Sequence, residues 1–361
     1  MIITLVDDTD LSMLGKGQQA RTYELYSMVA RKAEIRLVTQ EARYPERLAW
    51  VSELRVVGSL PGKGSAWVGS LSSLAVIAET AKGSDVIIAE HIYGVNRWAP
   101  LASRLSGLQF VYDSHGNEAE VCKSLACIAS VTPFEKAMYK SADAIIAISD
   151  KVLEKAWRLY KVKTEKQLVL VPGLRGVSCR GKGRLRTSLS LWGVRESEVV
   201  AVMHGSLRYG PNMDALKALL TSSSGSRERH GVIFVVAGSS DMRPGWLSDS
   251  VLYVGFVNDV DDLLCSADVA VSLNVSGTGV HMKVIDYLSA GLVLVATPKS
   301  LEGIPAVALE GYPLALVSPG SDLGETVATL AERARGPFSG RAKLPTWDEQ
   351  ASKLLNFLSS V

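Results

Sequence analysis

The chain has 361 residues, with 39 Lys and Arg against 37 Asp and Glu, and 47% of it is hydrophobic. That length exceeds one small core and points to two domains. The charge balance excludes a dominant polybasic nucleic-acid arm or acidic tail, and the apolar content excludes wholesale disorder.

Short apolar runs alternate with longer segments of helical period, the rhythm of parallel sheets covered on both faces. In chain order the spacing predicts a strand at 2–6, a helix over 18–32 and strands at 35–39, 85–89, 109–112 and 144–147. A helix over 150–160 and a strand at 168–171 follow, while 55–64 reads equally as strand or loop. Residues 173–190 are rich in Gly, carry five basic residues and no acidic one, and read as a linker. The rhythm then restarts, with strands at 199–204, 232–237, 252–254, 269–273, 292–296 and 314–317. Helices are predicted over 212–221, 259–267, 282–290, 323–334 and 347–359. The expected fold is α/β: a Rossmann-like domain over 1–172, the linker, and a second Rossmann-like domain over 191–344. The two doubly wound parallel sheets would face a cleft, and ligands of such sheets sit beyond the carboxyl ends of the strands.

No run reaches the roughly 18 apolar residues that span a bilayer. The opening Met1-Ile-Ile-Thr-Leu-Val6 lacks a basic leader and runs into Asp7, Asp8 and Asp10, so it reads as a buried strand and not a signal peptide. Cys122, Cys127, Cys179 and Cys265 form no C-x-x-C and have no histidine cluster beside them. They are expected to be reduced thiols in a cytoplasmic protein without a zinc site. Membrane contact would be peripheral, through the basic linker, although a solvated hinge is the commoner use of such a segment.

The segment richest in chemistry runs from Ser272 to Gly291. A strand ends, a loop carries Gly277 and Gly279, and a helix opens with Lys283 in its first turn and Asp286 one turn on. Glycines let backbone approach a ligand, and helix-start amides with a lysine suit a phosphate. Asp286 would accept hydrogen bonds from ribose or sugar hydroxyls. A turn with a surface Lys–Asp pair is the plain alternative. Asp259-Val-Asp261 is a D-x-D by letters, but it opens a predicted helix and reads as caps rather than a metal site. Gly15-Lys-Gly-Gln-Gln-Ala20 imitates a dinucleotide fingerprint, but it stands too far from the first strand to serve as one.

These motifs give the chain a resemblance to the retaining glycosyltransferases of family 4, which have the two-domain GT-B fold. Gly277-Thr-Gly-Val-His-Met-Lys283, then Asp286 and Ala290-Gly291, resembles the family's G-x-G-x-x-x-K, acidic residue and A-x-G. Leu301-Glu-Gly-Ile304, His204-Gly-Ser-Leu-Arg-Tyr-Gly-Pro-Asn212 and Val254-Gly-Phe-Val257 resemble further family segments. Phe110-Val-Tyr-Asp-Ser-His115, Ala142-Asp-Ala-Ile-Ile-Ala-Ile-Ser149 and Val169-Leu-Val-Pro172 resemble it in the first half. Two positions depart from the pattern. Thr278 stands where many members have a first glutamate that contacts the donor sugar, and Gly173 replaces an Asn.

The resemblance implies transfer of a sugar from a UDP- or GDP-sugar to an acceptor hydroxyl, with retention, with no metal and no cofactor beyond the nucleotide-sugar substrate. The acceptor would be a sugar, a glycan or a lipid-linked molecule, and no nucleic acid is involved. Catalytic roles fall on His115, Arg208 and Lys283. Donor binding falls on Ser206, Gly255, Phe256, Val257, Gly277, Thr278, Gly279 and Asp286. Phe256 reads equally as a core aromatic. Gly15, Lys16, Gly17 and Glu118 would border the acceptor and phosphate, with Glu120 and His91 as further acceptor-side groups. The helix beginning near Trp347 would pack back onto the first domain. A sugar-nucleotide epimerase, or a nucleotide-sugar-binding protein that has lost catalysis, are the alternatives.

Overall fold

The computed structural model describes residues 1–13, 17–58, 71–120, 122, 124–162, 164–177, 179, 184–277, 279–318, 320–334 and 341–361. The chain forms two compact units: residues 1–173 with 279–280 and 345–361, and residues 174–277 with 281–344.

The first unit opens with β1 (Ile2–Asp7), α1 (Gly17–Val29), β2 (Glu34–Thr39), β3 (Glu53–Val56), α2 (Ser72–Thr80) and β4 (Val86–Glu90). It continues with α3 (Ala99–Ser106), β5 (Gln109–Ser114), α4 (Leu125–Ser141), β6 (Ala144–Ala147), α5 (Asp150–Tyr160) and β7 (Gln167–Val169). The sheet order is β3-β2-β1-β4-β5-β6-β7, and every pairing is parallel. The order reverses between β1 and β4, so loops at their carboxyl ends frame a site. β4 reads Val-Ile-Ile-Ala-Glu and is buried throughout. The apolar residues are those of a strand covered on both faces; the terminal Glu90 is a buried charge that needs partners.

The second unit contains α6 (Arg184–Leu189), β8 (Val199–His204), α7 (Gly210–Ser222), α8 (Ser226–His230), β9 (Val232–Ala237), β10 (Gly245–Trp246) and β11 (Val251–Gly255). Then come α9 (Val260–Cys265), β12 (Val269–Ser272), α10 (Met282–Ser289), β13 (Val293–Ala296), β14 (Leu314–Leu316) and α11 (Leu323–Ala334). Its sheet order is β10-β11-β9-β8-β12-β13-β14, parallel except for the edge pair β10–β11. Here the order reverses between β8 and β12.

The last helix, α12 (Trp347–Leu358), packs on α1 of the first unit. Thr346 and Glu349 close a capping box at its start, and Trp347, Ala351 and Leu354 are buried. Gly173 has a steric reason. A Cβ there would lie 2.5 Å from the backbone nitrogen of Trp347, so only glycine lets the two segments pass.

Two expectations need correction. Residues 184–189 were expected in the linker but form α6, held to α9 because the Asp262 carboxylate accepts from the N–H groups of Arg184 and Leu185 at 2.5 and 3.0 Å. Glycine and basic residues masked the helix-forming Arg-Leu-Arg stretch. The cysteines are not reduced: Cys122 pairs with Cys127 and Cys179 with Cys265. The second pair joins the segment before α6 to the last residue of α9, a proximity that sequence spacing does not contain.

Candidate active site

In the second unit, the carboxyl ends of β8 and β12 and the start of α10 carry a polar cluster. Lys283, in the first turn of α10, donates to Oδ1 of Asn212 at 2.5 Å and Oδ1 of Asn274 at 3.0 Å. Both amides are fixed in orientation. Asn212 donates to the carbonyl of Ser206 at 2.9 Å and Asn274 to that of Pro211 at 3.1 Å. Burial pushes the Lys283 ammonium down to about 8. Its partners are neutral, so the lysine charge is positioned without being cancelled.

Asp286 lies one turn along α10. Its Oδ1 accepts from Nε of Arg175 at 3.0 Å and its Oδ2 faces Nε2 of His204 at 3.3 Å. Burial opposes its ionisation, but His204 and Arg175 outweigh that and hold the carboxyl below its usual range. Arg175 also pairs with Asp261, and its N–H donates to Oγ of Ser289 at 3.1 Å. Asp259 caps α9, accepting from Asp262 N–H at 3.0 Å, as the D-x-D reading expects.

Around this cluster, Gly277 and Gly279 adopt φ of 119° and 70°, in the region that excludes ordinary side chains. Ser206 Oγ accepts from Ser239 Oγ at 2.8 Å. Gly255 ends β11 with φ 83°. Phe256 beside it is 66% exposed, which removes the core reading of that residue. Val257 is half-buried. Arg208 stands in solvent and pairs with Asp241 at 2.6 Å. Such an exposed pair binds weakly and leaves the guanidinium available. Thr278, Gly15 and Lys16 lie outside the described residues.

The first unit carries its own cluster at the ends of β1, β4 and β5. Arg21 of α1 is 1% exposed and makes a bidentate pair with Asp113, both bonds 3.0 Å. It also lies 3.6 Å from Glu90 and contacts Nε2 of His115, which meets Glu90 in turn. Glu90, Asp113 and His115 have the donor types of a cation site. The guanidinium, however, already contacts the atoms a metal would need, Oδ2 of Asp113 and Nε2 of His115, with Oε2 of Glu90 close by. Burial, Arg21 and His91 hold His115 well below the usual histidine range, so its imidazole is neutral. Nδ1 of His115, Nε2 of His91 and Oε1 of Glu90 are buried without a protein partner.

The rings of His91 and His115 are 4.2 Å apart, and His91 holds a left-handed backbone with φ 66°. A histidine in that region is uncommon and marks a constrained strand end. Burial opposes its charge, but Glu118, Asp8 and Asp7 raise His91 to about 9. Glu118 accepts from the Tyr93 hydroxyl at 2.9 Å and lies 3.7 Å from His91, so it is committed to this network. Glu120 pairs with Lys155 at 2.9 Å. Gly17 opens α1 and is exposed.

Sequence reading missed Arg21, Glu90, Asn212, Asn274, Arg175 and His204 as members of these clusters. Arg21 had a signal: on a helix it shares a face with Leu25, one turn away, so it is a charge on the buried side.

Two family models match the chain: "Glycosyl transferase 4-like domain" over residues 16–173 and "Glycosyl transferases group 1" over residues 198–333. Together they account for most of its length. The chain is a glycosyltransferase with one domain of each kind. The transferase has no match among curated protein sequences. Among solved structures it is similar to Alr3699/HepE of Anabaena in complex with UDP-glucose, with TM-score 0.71, 15% identity and 100% of both chains covered. It is similar to a glycosyltransferase of Rickettsia africae, with TM-score 0.67 and 14% identity over 99% of this chain and 98% of the other. A UDP-GlcNAc 2-epimerase of Methanocaldococcus jannaschii shares the fold at TM-score 0.59 and 9% identity, with 100% of both chains covered. The transferase therefore has the GT-B architecture of two Rossmann-like units. Among the described residues, no helix is long and apolar enough to cross a membrane.

Proposed function

We propose that the transferase moves a sugar from a nucleoside-diphosphate donor, UDP- or GDP-linked, to an acceptor hydroxyl, with retention. The observation that carries this reading is Lys283. It is a half-buried cation held by two neutral amides beside a glycine turn, where α10 begins. Breaking the glycosidic bond puts negative charge on the β-phosphate. Lys283 and the backbone at the start of α10 stabilise that charge, with Ser206 in support and Arg208 closing from solvent. Protonation of the leaving group is then unnecessary. Asp286, held in place by Arg175 and His204, accepts the ribose hydroxyls, and the base lies by Gly255, Phe256 and Val257. In the first unit, neutral His115 serves the transfer itself and the His91–Glu118 network the acceptor side.

HepE, which shares the fold, has been crystallised with UDP-glucose, and this supports the donor class. The acceptor is a sugar, a glycan or a lipid-linked molecule. The cytoplasmic setting loses the support of reduced cysteines, because disulfides are rare in that compartment. A thermal-shift screen against UDP, GDP, ADP and dTDP and their sugars tests the reading, since a ligand bound only by the folded form raises its melting temperature. A UDP or GDP hit, followed by release of that diphosphate on addition of an acceptor, is the expected result. Stabilisation by none of them refutes it.

A further inference from the structure

His281 caps the start of α10 by position, yet its side chain accepts no hydrogen bond there. Its ring lies over the glycine turn: a Cβ on Gly277 would be 3.2 Å from Cε1 of His281 and 3.8 Å from Nε2. Nε2 is buried and has no partner in the protein. Leaving such an atom unpaired costs about 1–3 kcal/mol, so an orphan at the mouth of a ligand turn calls for an explanation.

The surroundings supply one. Lys283 follows two residues along the helix. Lys299, in the turn after β13, pairs with Glu302, and both act on the imidazole from that side. The Tyr209 hydroxyl borders the same turn. Two ammonium groups therefore flank His281 against one carboxylate that is already paired. Burial, Lys283 and Lys299 push it down to about 4, against the pull of Glu302, so it is neutral without ligand.

We infer that His281 is a ligand-contacting residue of the donor site, whose Nε2 takes up a proton from solvent when a nucleoside diphosphate binds and donates it in a hydrogen bond to a phosphate oxygen. The inference rests on the donor reading above and extends it. The diphosphate reverses the local field: the imidazole, kept uncharged by burial and two lysines, gains an anion as neighbour, and the charged form becomes the favoured one. In the sequence, the residue after Gly277 is a threonine where many members of the family have a glutamate. The chain thus meets its donor with a third cation at this turn instead of an acid.

Calorimetric titration with UDP and with GDP at pH 6 and pH 8 tests this on the full chain, for wild type, His281→Ala and His281→Gln. The variant-to-wild-type ratio of dissociation constants is the readout, because the nucleotide's own titration cancels in it. For His281→Ala a ratio of about ten is expected at pH 6, the size of one charge-assisted hydrogen bond, and a clearly smaller one at pH 8. His281→Gln keeps a neutral donor and is expected to bind between the two, and its ligand-free melting temperature controls for folding. A ratio near one at pH 6, or the same ratio at both pH values, overturns the proposal. If wild type binds neither UDP nor GDP, the donor reading itself has failed.

Discussion

The ammonium of Lys283 meets the amide oxygen of Asn212 at 2.5 Å, and that contact sets the electrostatics of the second unit's site. A carboxylate in place of Asn212 would have neutralised the lysine and raised its pKa. An amide orients it, leaves the charge uncompensated and lets burial draw the pKa to about 8. An arriving phosphate then supplies the counter-charge.

Lys283→Met should cut kcat/KM for the donor by about a hundredfold, as loss of one preorganised donor to a developing anion does. In wild type, donor affinity should fall as pH rises through about 8, where the unliganded ammonium loses its proton. Donor kinetics at pH 7 and pH 9 check both, and a variant with wild-type kinetics removes Lys283 from the site.

Arg175 reaches Asp286 from the segment before α6 and binds Asp261 at the same time. Its guanidinium holds the carboxylate in one orientation. Arg175→Gln should therefore raise KM for the donor severalfold while kcat changes little, at a stability cost of about 1 kcal/mol for these partly exposed pairs. A fall in kcat with unchanged KM would place Asp286 elsewhere than on the ribose.

In the first unit, Arg21 is the counter-ion that lets Asp113 and Glu90 be buried. Arg21→Met should destabilise the protein by about 3–5 kcal/mol, because two carboxylates lose their cation. Arg21→Lys should recover only part of that, since an ammonium cannot reproduce the bidentate geometry. Urea unfolding of the two variants measures the difference, and equal stabilities would show that the fork geometry is immaterial.

The disulfides make a chemical prediction. The denatured, unreduced protein should show no free thiol. Reduction should lower the melting temperature, mainly through Cys179–Cys265, whose sequence separation of 86 residues corresponds to about 4.6 kcal/mol in the chain-entropy treatment. Four titratable thiols before reduction would show both pairs open.

The strands were readable because each buried strand is a short apolar run between turn signals. Val199–His204 and Val232–Ala237 appear with the predicted bounds. The edge strand β10 was not readable, since Gly245–Trp246 is two residues long and its pairing with β11 is made by register, not composition. The glycine turn and Lys283 stood out as a contiguous motif. Asn212, Asn274 and Arg175 did not: they reach Lys283 and Asp286 from other elements, and neutral or surface-type residues in separate segments give no local pattern. The first unit's cluster was half visible through His115, while Glu90, one residue past the predicted strand at 85–89, carried no signal until the fold set Arg21 close to it.

That cluster also dictates how stability varies with pH. Burial, Asp8 and Glu90 raise Asp7 to about 8, and His91 is raised to about 9 by Glu118, Asp8 and Asp7 despite its burial. The unfolded chain releases these protons near 3.8 and 6.5. Above 6.5 these two groups therefore hold more protons in the native state than in the unfolded one, and their contribution to stability drops as pH rises towards 9, while Lys283, lowered to about 8, opposes part of that drop above its own pKa. The slope is up to about 1.4 kcal/mol per pH unit for each retained proton. The His91 contribution is complete below 6.5 and lost through about 9, while the Asp7 contribution is complete only below 3.8 and is gone above about 8. Urea unfolding at pH 6.5 and 8.5 should show the drop in wild type. Asp7→Asn, which removes one proton from the balance and keeps the neutral shape, should flatten it. If the variant's dependence matches wild type, Asp7 is ionised in the native state and its site is less enclosed than the structure shows.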